Sequence, residues 1–148
     1  QFAISLDFAV TICDPRSEYN TEWSVANTRL VTTMPDDTVI EMRIDSRTAI
    51  VALTHDPKLD DMALIEALAS PAFYIGALGS KANNDKRRRR LLEFDLDERQ
   101  VARLHGPAGL DIGSHTPAEI AVSIAAEIIA AKNQKLRTKK PDNHYEYT

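Results

Sequence analysis

Four short polar clusters stand directly after apolar or β-branched runs, and their residue types are those that hold phosphates, sugar hydroxyls and protons. They are Asp14 with Arg16 after AVTIC, Thr54-His55-Asp56 after TAIVAL, Gly76, Gly79, Ser80 and Lys81 in FYIGALGSK, and Gly109, Asp111 and Gly113 in GLDIG. A carboxylate at a strand end is the group that accepts two ribose hydroxyls in dinucleotide folds; Asp14 before Pro15 is equally an ordinary turn. Thr54, His55 and Asp56 set three hydrogen-bonding side chains in a loop beyond a buried strand. The plainer reading is a satisfied strand end with Asp56-Pro57 as the turn. Gly76, Gly79 and Ser80 make a strand-to-helix turn whose N–H groups suit a phosphate, although Gly-x-x-Gly-Ser is not the Walker pattern. Gly109 and Gly113 give permissive backbone around Asp111, for a ligand that approaches closely or for a tight turn.

Other candidates carry less. His55, His105 and His115 with Asp56 and Asp111 show no recognised ligand spacing, so no metal site is assigned. Cys13 lies inside a strand pattern and reads as a small core residue. The basic block over residues 86–90 covers more than one helical turn, so its cations cannot all face one ligand, and most of it reads as a solvated face. No catalytic residue is assigned.

The elements that must carry these clusters alternate as βα units, which predicts an α/β fold with a mostly parallel sheet flanked by helices. Strands are expected over 9–14, 29–34, 49–53 and 73–78, the third as a continuous buried run through Leu53. Residues 16–27 read as a loop. Helices are expected over 35–44, over about 59–70 with Met62, Leu64, Ile65 and Leu68 inward, and over 81–94. A further short helix is expected through DLDERQVARLHG with Leu96, Val101 and Leu104 inward. TPAEIAVSIAAEIIAAK carries Thr116 as cap, Pro117 at the first helical position and Glu119 for a capping box, with a stripe of Ile120, Ile124 and Ile128 beside Ala121 and Ala125. One domain is expected over 1–133 and a charged, frayed tail over 134–148. Since ligands bind beyond the carboxyl ends of parallel strands, all four polar clusters are expected along one edge.

With 148 residues, 43% of them hydrophobic and 27% charged, the chain has the composition of a globular protein and no run long enough to span a membrane. A net charge of −4 offers nucleic acid no attractive field. A single cysteine makes no internal disulfide and suits a cytoplasmic setting. The N-terminal residues read as the tail of an amphipathic helix (Phe2, Ile4, Leu6), so the chain is expected to start partway through a fold unit.

The stretches TICDPR, LTHDPKLDDMALIEAL, FYIGALGSK, ARLHGPAGLDIG and TPAEIAVSIAAEII, in this order from Val10 to Ala131, resemble the C-terminal Rossmann-type domain of the XdhC/CoxI family, accessory proteins of molybdenum hydroxylases. The resemblance implies a dimeric maturation factor that binds molybdenum cofactor, a phosphate-bearing pterin sometimes extended to a dinucleotide, and hands it to a xanthine dehydrogenase-like hydroxylase. It places Asp14, Arg16, Thr54, His55, Asp56, Gly76, Gly79, Ser80, Lys81, Gly109, Asp111 and Gly113 at the cofactor. The family's domain opens with a strand and a Gly-x-Gly loop that this sequence does not show, and the family's cysteine role is not transferred to Cys13. Two other readings stay open: an NAD(P)-dependent oxidoreductase with His55 as proton donor, and a ligand-free module that docks a hydroxylase or a cysteine desulfurase.

Overall fold

The computed structural model describes residues 1–139. Among these residues five strands are present: β1 (Val10–Cys13), β2 (Thr28–Val31), β3 (Ala49–Ala52), β4 (Tyr74–Ala77) and β5 (Leu104–His105). Seven helices accompany them: α1 (Phe2–Ser5), α2 (Ser17–Asn20), α3 (Pro35–Glu41), α4 (Pro57–Leu68), α5 (Lys81–Leu91), α6 (Glu98–Val101) and α7 (Pro117–Lys139). Every one of these strand pairings is parallel, but the ladder is divided. β1 pairs β2, while β3, β4 and β5 form a second sheet in that order.

The core belongs to the three-stranded sheet. Leu64, Ala67 and Leu68 of α4, Leu91 of α5, Val101 of α6 and Leu96 close over Ala52, Ile75, Ala77 and Leu104. Ile75 and Ala77 face this layer, and the alternate residues Tyr74 and Gly76 face α7, as the period of two requires. Every residue of β1 is only half-buried, so the two-stranded sheet contributes less apolar burial.

Several expectations are corrected. The loop over 16–27 contains the single turn α2. The expected helix through DLDERQVARLHG is only the single turn Glu98–Val101, opened by the Asp97–Gln100 capping box and ended where Leu104 pairs with Ile75 as strand. Leu104 is inward as expected, but from β5. Leu53 is not core: the ladder ends at the Ala52–Ala77 pair, and Leu53 is 50% exposed. Its neighbour Thr54 is drawn down by a carboxylate of α4. On α7 the isoleucine stripe is half-buried, and the residue fully buried there is Ser123, whose hydroxyl would meet a Cβ on Gly109 at 2.4 Å. The α7 helix passes through position 134 and continues to Lys139; the rest of the expected tail, 140–148, lies outside the described residues.

Leu64 is fully buried. Truncation to alanine removes several methylenes and leaves a cavity, so Leu64→Ala is expected to cost about 2–5 kcal/mol in urea unfolding. Ile12→Ala, on half-buried β1, is expected to lose less than about half as much.

Candidate functional site

The carboxyl ends of β3, β4 and β5 run into three turns, and each turn is held by polar side chains on a helix, buried ones at the first two. After β3, the Thr54 N–H and hydroxyl donate to Asp60 Oδ1 at 3.1 and 2.7 Å. Asp56 accepts from the Lys58 N–H at 3.0 Å and so caps α4, with Pro57 at its first position. Between them His55 sits at φ +60, a left-handed conformation, with its side chain exposed. Thr54 and Asp56 are therefore engaged by the turn itself, and His55 is the member of the triplet presented outward.

After β4, Gly79 takes φ +117, where glycine is the residue without a steric penalty. Ser80 caps α5 by accepting from the Asn83 N–H at 3.1 Å, and Lys81 is exposed. The other N–H groups of the first turn have no intrahelical partner. Asn84, fully buried, donates to the Leu78, Gly79 and Ser80 carbonyls at 3.4, 3.2 and 3.1 Å. Arg87 donates to the Leu78 carbonyl at 3.0 Å and to Asn84 Oδ1 at 2.8 Å. Gly76 has a packing role: a Cβ there would lie 2.8 Å from the Tyr74 hydroxyl and 3.0 Å from Ala108.

After β5, Arg88 donates to the carbonyls of Leu104 and Gly106 at 3.1 and 3.0 Å. A Cβ on Gly106 would strike Asn84 Oδ1 at 2.4 Å, so this turn packs on the same asparagine. Gly109, at φ +106, donates its N–H to Glu127 Oε1 of α7 at 3.1 Å. The same oxygen accepts from the Tyr74 hydroxyl at 2.7 Å and lies 3.2 Å from His105 Nδ1. Burial, then the Glu127 carboxylate, pushes the Tyr74 phenol far up, so it remains a neutral donor. Asp111 is exposed, and Gly113 at φ +71 has open space around it.

One ion pair joins the first two turns. Arg87 Nη2 stands 3.8 Å from Asp60 Oδ2, both side chains being almost fully buried. Its Nε lies 3.4 Å from Asp61 Oδ1, an ionic contact without hydrogen-bond alignment, and Asp61 also receives Arg90 at 3.0 Å. Of the five consecutive cations, three are thus built into the protein, while Lys86 and Arg89 are exposed.

Asp14 and Arg16 follow β1 in the other sheet, outside this network. Asp14 Oδ1 accepts from the Arg16 N–H and Nε, and Oδ2 from Nη2, each at 3.0 Å. A diol reaching this carboxylate must first move the Arg16 fork. The turns after β3, β4 and β5 are therefore linked through α4 and α5, and the Asp14 pair stands apart.

Asp60, Asn84, Arg87, Arg88, His105 and Glu127 were missed as site-building residues. Asp60 carried a signal, because it shares the i, i+4, i+8 line of Leu64 and Leu68. Asn84 and Arg87 carried none, lying in the near-continuous polar run KANNDKRRRR.

Arg87→Met leaves Asp60 buried without its cation, and urea unfolding is expected to show a loss of about 3–5 kcal/mol. Arg87→Lys keeps the charge but not the fork and is expected to lose less. Hydrogen bonds from Arg16 hold Asp14 below the ordinary aspartate value of 3.8. Because the folded value lies below the unfolded one, this contribution to stability is complete above pH 3.8 and fades as pH falls through the folded value. In Arg16→Ala, carboxyl-carbon NMR is expected to show Asp14 titrating closer to 3.8.

Comparison with known proteins fits this geometry. Residues 1–128 match the family model described as the XdhC Rossmann domain. The chain is 33% identical over 134 residues to the uncharacterized Escherichia coli protein YqeB, spanning 90% of this chain and 25% of that protein. It is 32% identical over 133 residues to a Bacillus subtilis protein named as a probable xanthine dehydrogenase component, spanning 89% of this chain and 38% of that one. Over 90 residues, 61% of this chain and 28% of the relative, it is 28% identical to the E. coli molybdenum cofactor insertion chaperone PaoD. A crystal structure described as that of a xanthine dehydrogenase from Bacillus halodurans superposes with a TM-score of 0.76 at 28% identity, covering 95% of this chain and 40% of that chain. The chain thus spans well under half the length of each of these relatives. On the family match and the parallel α/β architecture together, the chain belongs to the XdhC Rossmann-domain family.

Proposed function

We propose that this chain binds molybdenum cofactor at the edge formed by its three strand-end turns, as part of an accessory factor that delivers the cofactor to a xanthine dehydrogenase-type hydroxylase. The observation that carries this reading is the convergence of those turns on Asn84, Arg87 and Arg88 beside the N-terminus of α5. The first-turn N–H groups of α5 and the left-handed Gly79 suit a phosphate. The resemblance to PaoD and to the B. subtilis xanthine dehydrogenase component supplies the class of ligand, a phosphate-bearing pterin, and the class of partner. Gly79, Ser80 and Lys81 meet the phosphate, His55 and the loop from Gly109 to Gly113 lie to either side, and Asp14 with Arg16 are reached only by a ligand extended to a dinucleotide.

Calorimetric titration with molybdopterin, and separately with NAD(P)+, tests the reading. Binding of molybdopterin and not of NAD(P)+ is expected; the reverse result replaces the accessory role with a nicotinamide oxidoreductase. Ser80→Asp keeps a competent helix cap while setting a negative charge beside the phosphate. It is expected to weaken molybdopterin binding about tenfold or more, or about 1.4 kcal/mol. Unchanged affinity would place the phosphate elsewhere.

A further inference from the structure

Arg16 closes over Asp14 from two residues along the chain. Asp14 follows β1 directly, and its N–H still donates to the Val31 carbonyl of β2 at 3.1 Å, so its carboxylate stands at the carboxyl end of a parallel pair. A dinucleotide fold sets there the acid that takes ribose hydroxyls. In this chain the acid is already engaged. Oδ1 accepts the Arg16 main-chain N–H and Nε, and Oδ2 accepts Nη2, all at 3.0 Å. Both side chains are half-buried, 17% exposed at Asp14 and 28% at Arg16.

The number of bonds decides what this carboxylate can still accept. A carboxylate has about four lone-pair positions, two on each oxygen. Arg16 takes both on Oδ1 and one on Oδ2. A ribose diol that binds one carboxylate donates two O–H bonds to it, and one open position on Oδ2 cannot receive both. The guanidinium fork is bidentate and charge-assisted, so an incoming hydroxyl has to displace a strong bond rather than a water. With the fork gone, the main-chain N–H would remain on Oδ1 and three positions would be open, enough for the diol.

We propose that Arg16 is a specificity-determining residue of the edge: by occupying the Asp14 carboxylate it withholds the acceptor for a ribose diol, so a nucleotide attached to the pterin gains nothing there. This rests on the cofactor reading above and names the form of the cofactor, the pterin carrying phosphate alone. The discrimination lies in what the site refuses to bond.

Calorimetric titration of the wild-type protein and of Arg16→Met, each with molybdopterin and with its dinucleotide form, tests the proposal. The wild-type protein is expected to bind the dinucleotide form no more tightly than molybdopterin. In Arg16→Met the ratio of the two affinities is expected to move about tenfold toward the dinucleotide form, the scale of a hydrogen bond to a charged group. Carboxyl-carbon NMR supplies a readout that a merely structural role would not move: the Asp14 resonance of Arg16→Met is expected to shift with the dinucleotide form and not with molybdopterin. A wild-type protein that favours the dinucleotide form, or an Arg16→Met protein whose ratio is unchanged, overturns the proposal and leaves the cofactor reading standing. Arg16→Lys keeps the cation without the fork and supplies the same comparison if Arg16→Met does not fold. No binding of molybdopterin by the wild-type protein overturns the cofactor reading, and the proposed selectivity with it.

Discussion

Asp60 and Arg87 face each other inside the helix layer at 3.8 Å, and two charges removed from water need further bonds to make that placement tolerable. Both have them. Asp60 takes two hydrogen bonds from Thr54, and Arg87 gives two, to Leu78 and Asn84. The desolvation of a charge amounts to several kcal/mol even after relaxation, so the pair is a poor source of stability compared with apolar side chains of the same volume. It does fix position. Its bonds run to the β3 and β4 turns and to the asparagine that holds the β4 turn, so the spacing between those turns is set by helices rather than by the loops themselves.

The same arrangement recurs on the other face of the sheet. Glu127 enters from α7 and holds Tyr74, Gly109 and His105 through one oxygen, while Ser123 accepts the Leu110 N–H at its carbonyl. Close approach is obtained by removing side chains on the sheet side: Gly76 makes room for the Tyr74 ring, and Gly109 for the Ser123 hydroxyl. Loops fixed in this way from both layers lose little freedom when a ligand arrives.

The sequence was legible where one apolar period governs an element. The strands at β3 and β4, the α4 stripe and the capping box of α7 follow from short apolar runs, i, i+4 spacing and Thr116 with Glu119. It was not legible where partners lie far apart in the chain. Nothing local to KANNDKRRRR reveals that Asn84, Arg87 and Leu91 form one buried face, because the matching carboxylates are on α4. Leu104 continues the apolar spacing of a short helix in the sequence, and only its pairing with Ile75 makes it strand. For the site, the four clusters are where the strand ends put them, but the roles of their side chains depend on neighbours that spacing does not show.

That distinction bears on what the edge can do. Thr54, Asp56 and Ser80 look from the sequence like groups waiting for a ligand, and in the structure each has its oxygen bonded to the backbone of its own turn or helix. Asp14 is likewise held by Arg16. What remains outward around the three turns includes main-chain N–H at α5, the exposed Lys81 and Asp111, and the imidazoles of His55 and His105. Main-chain donors and one cation suit an anion, and two imidazoles suit the polar rim of a ring. The proposed cofactor reading rests on these groups, the N–H donors and Lys81 for the phosphate and the two imidazoles for the ring.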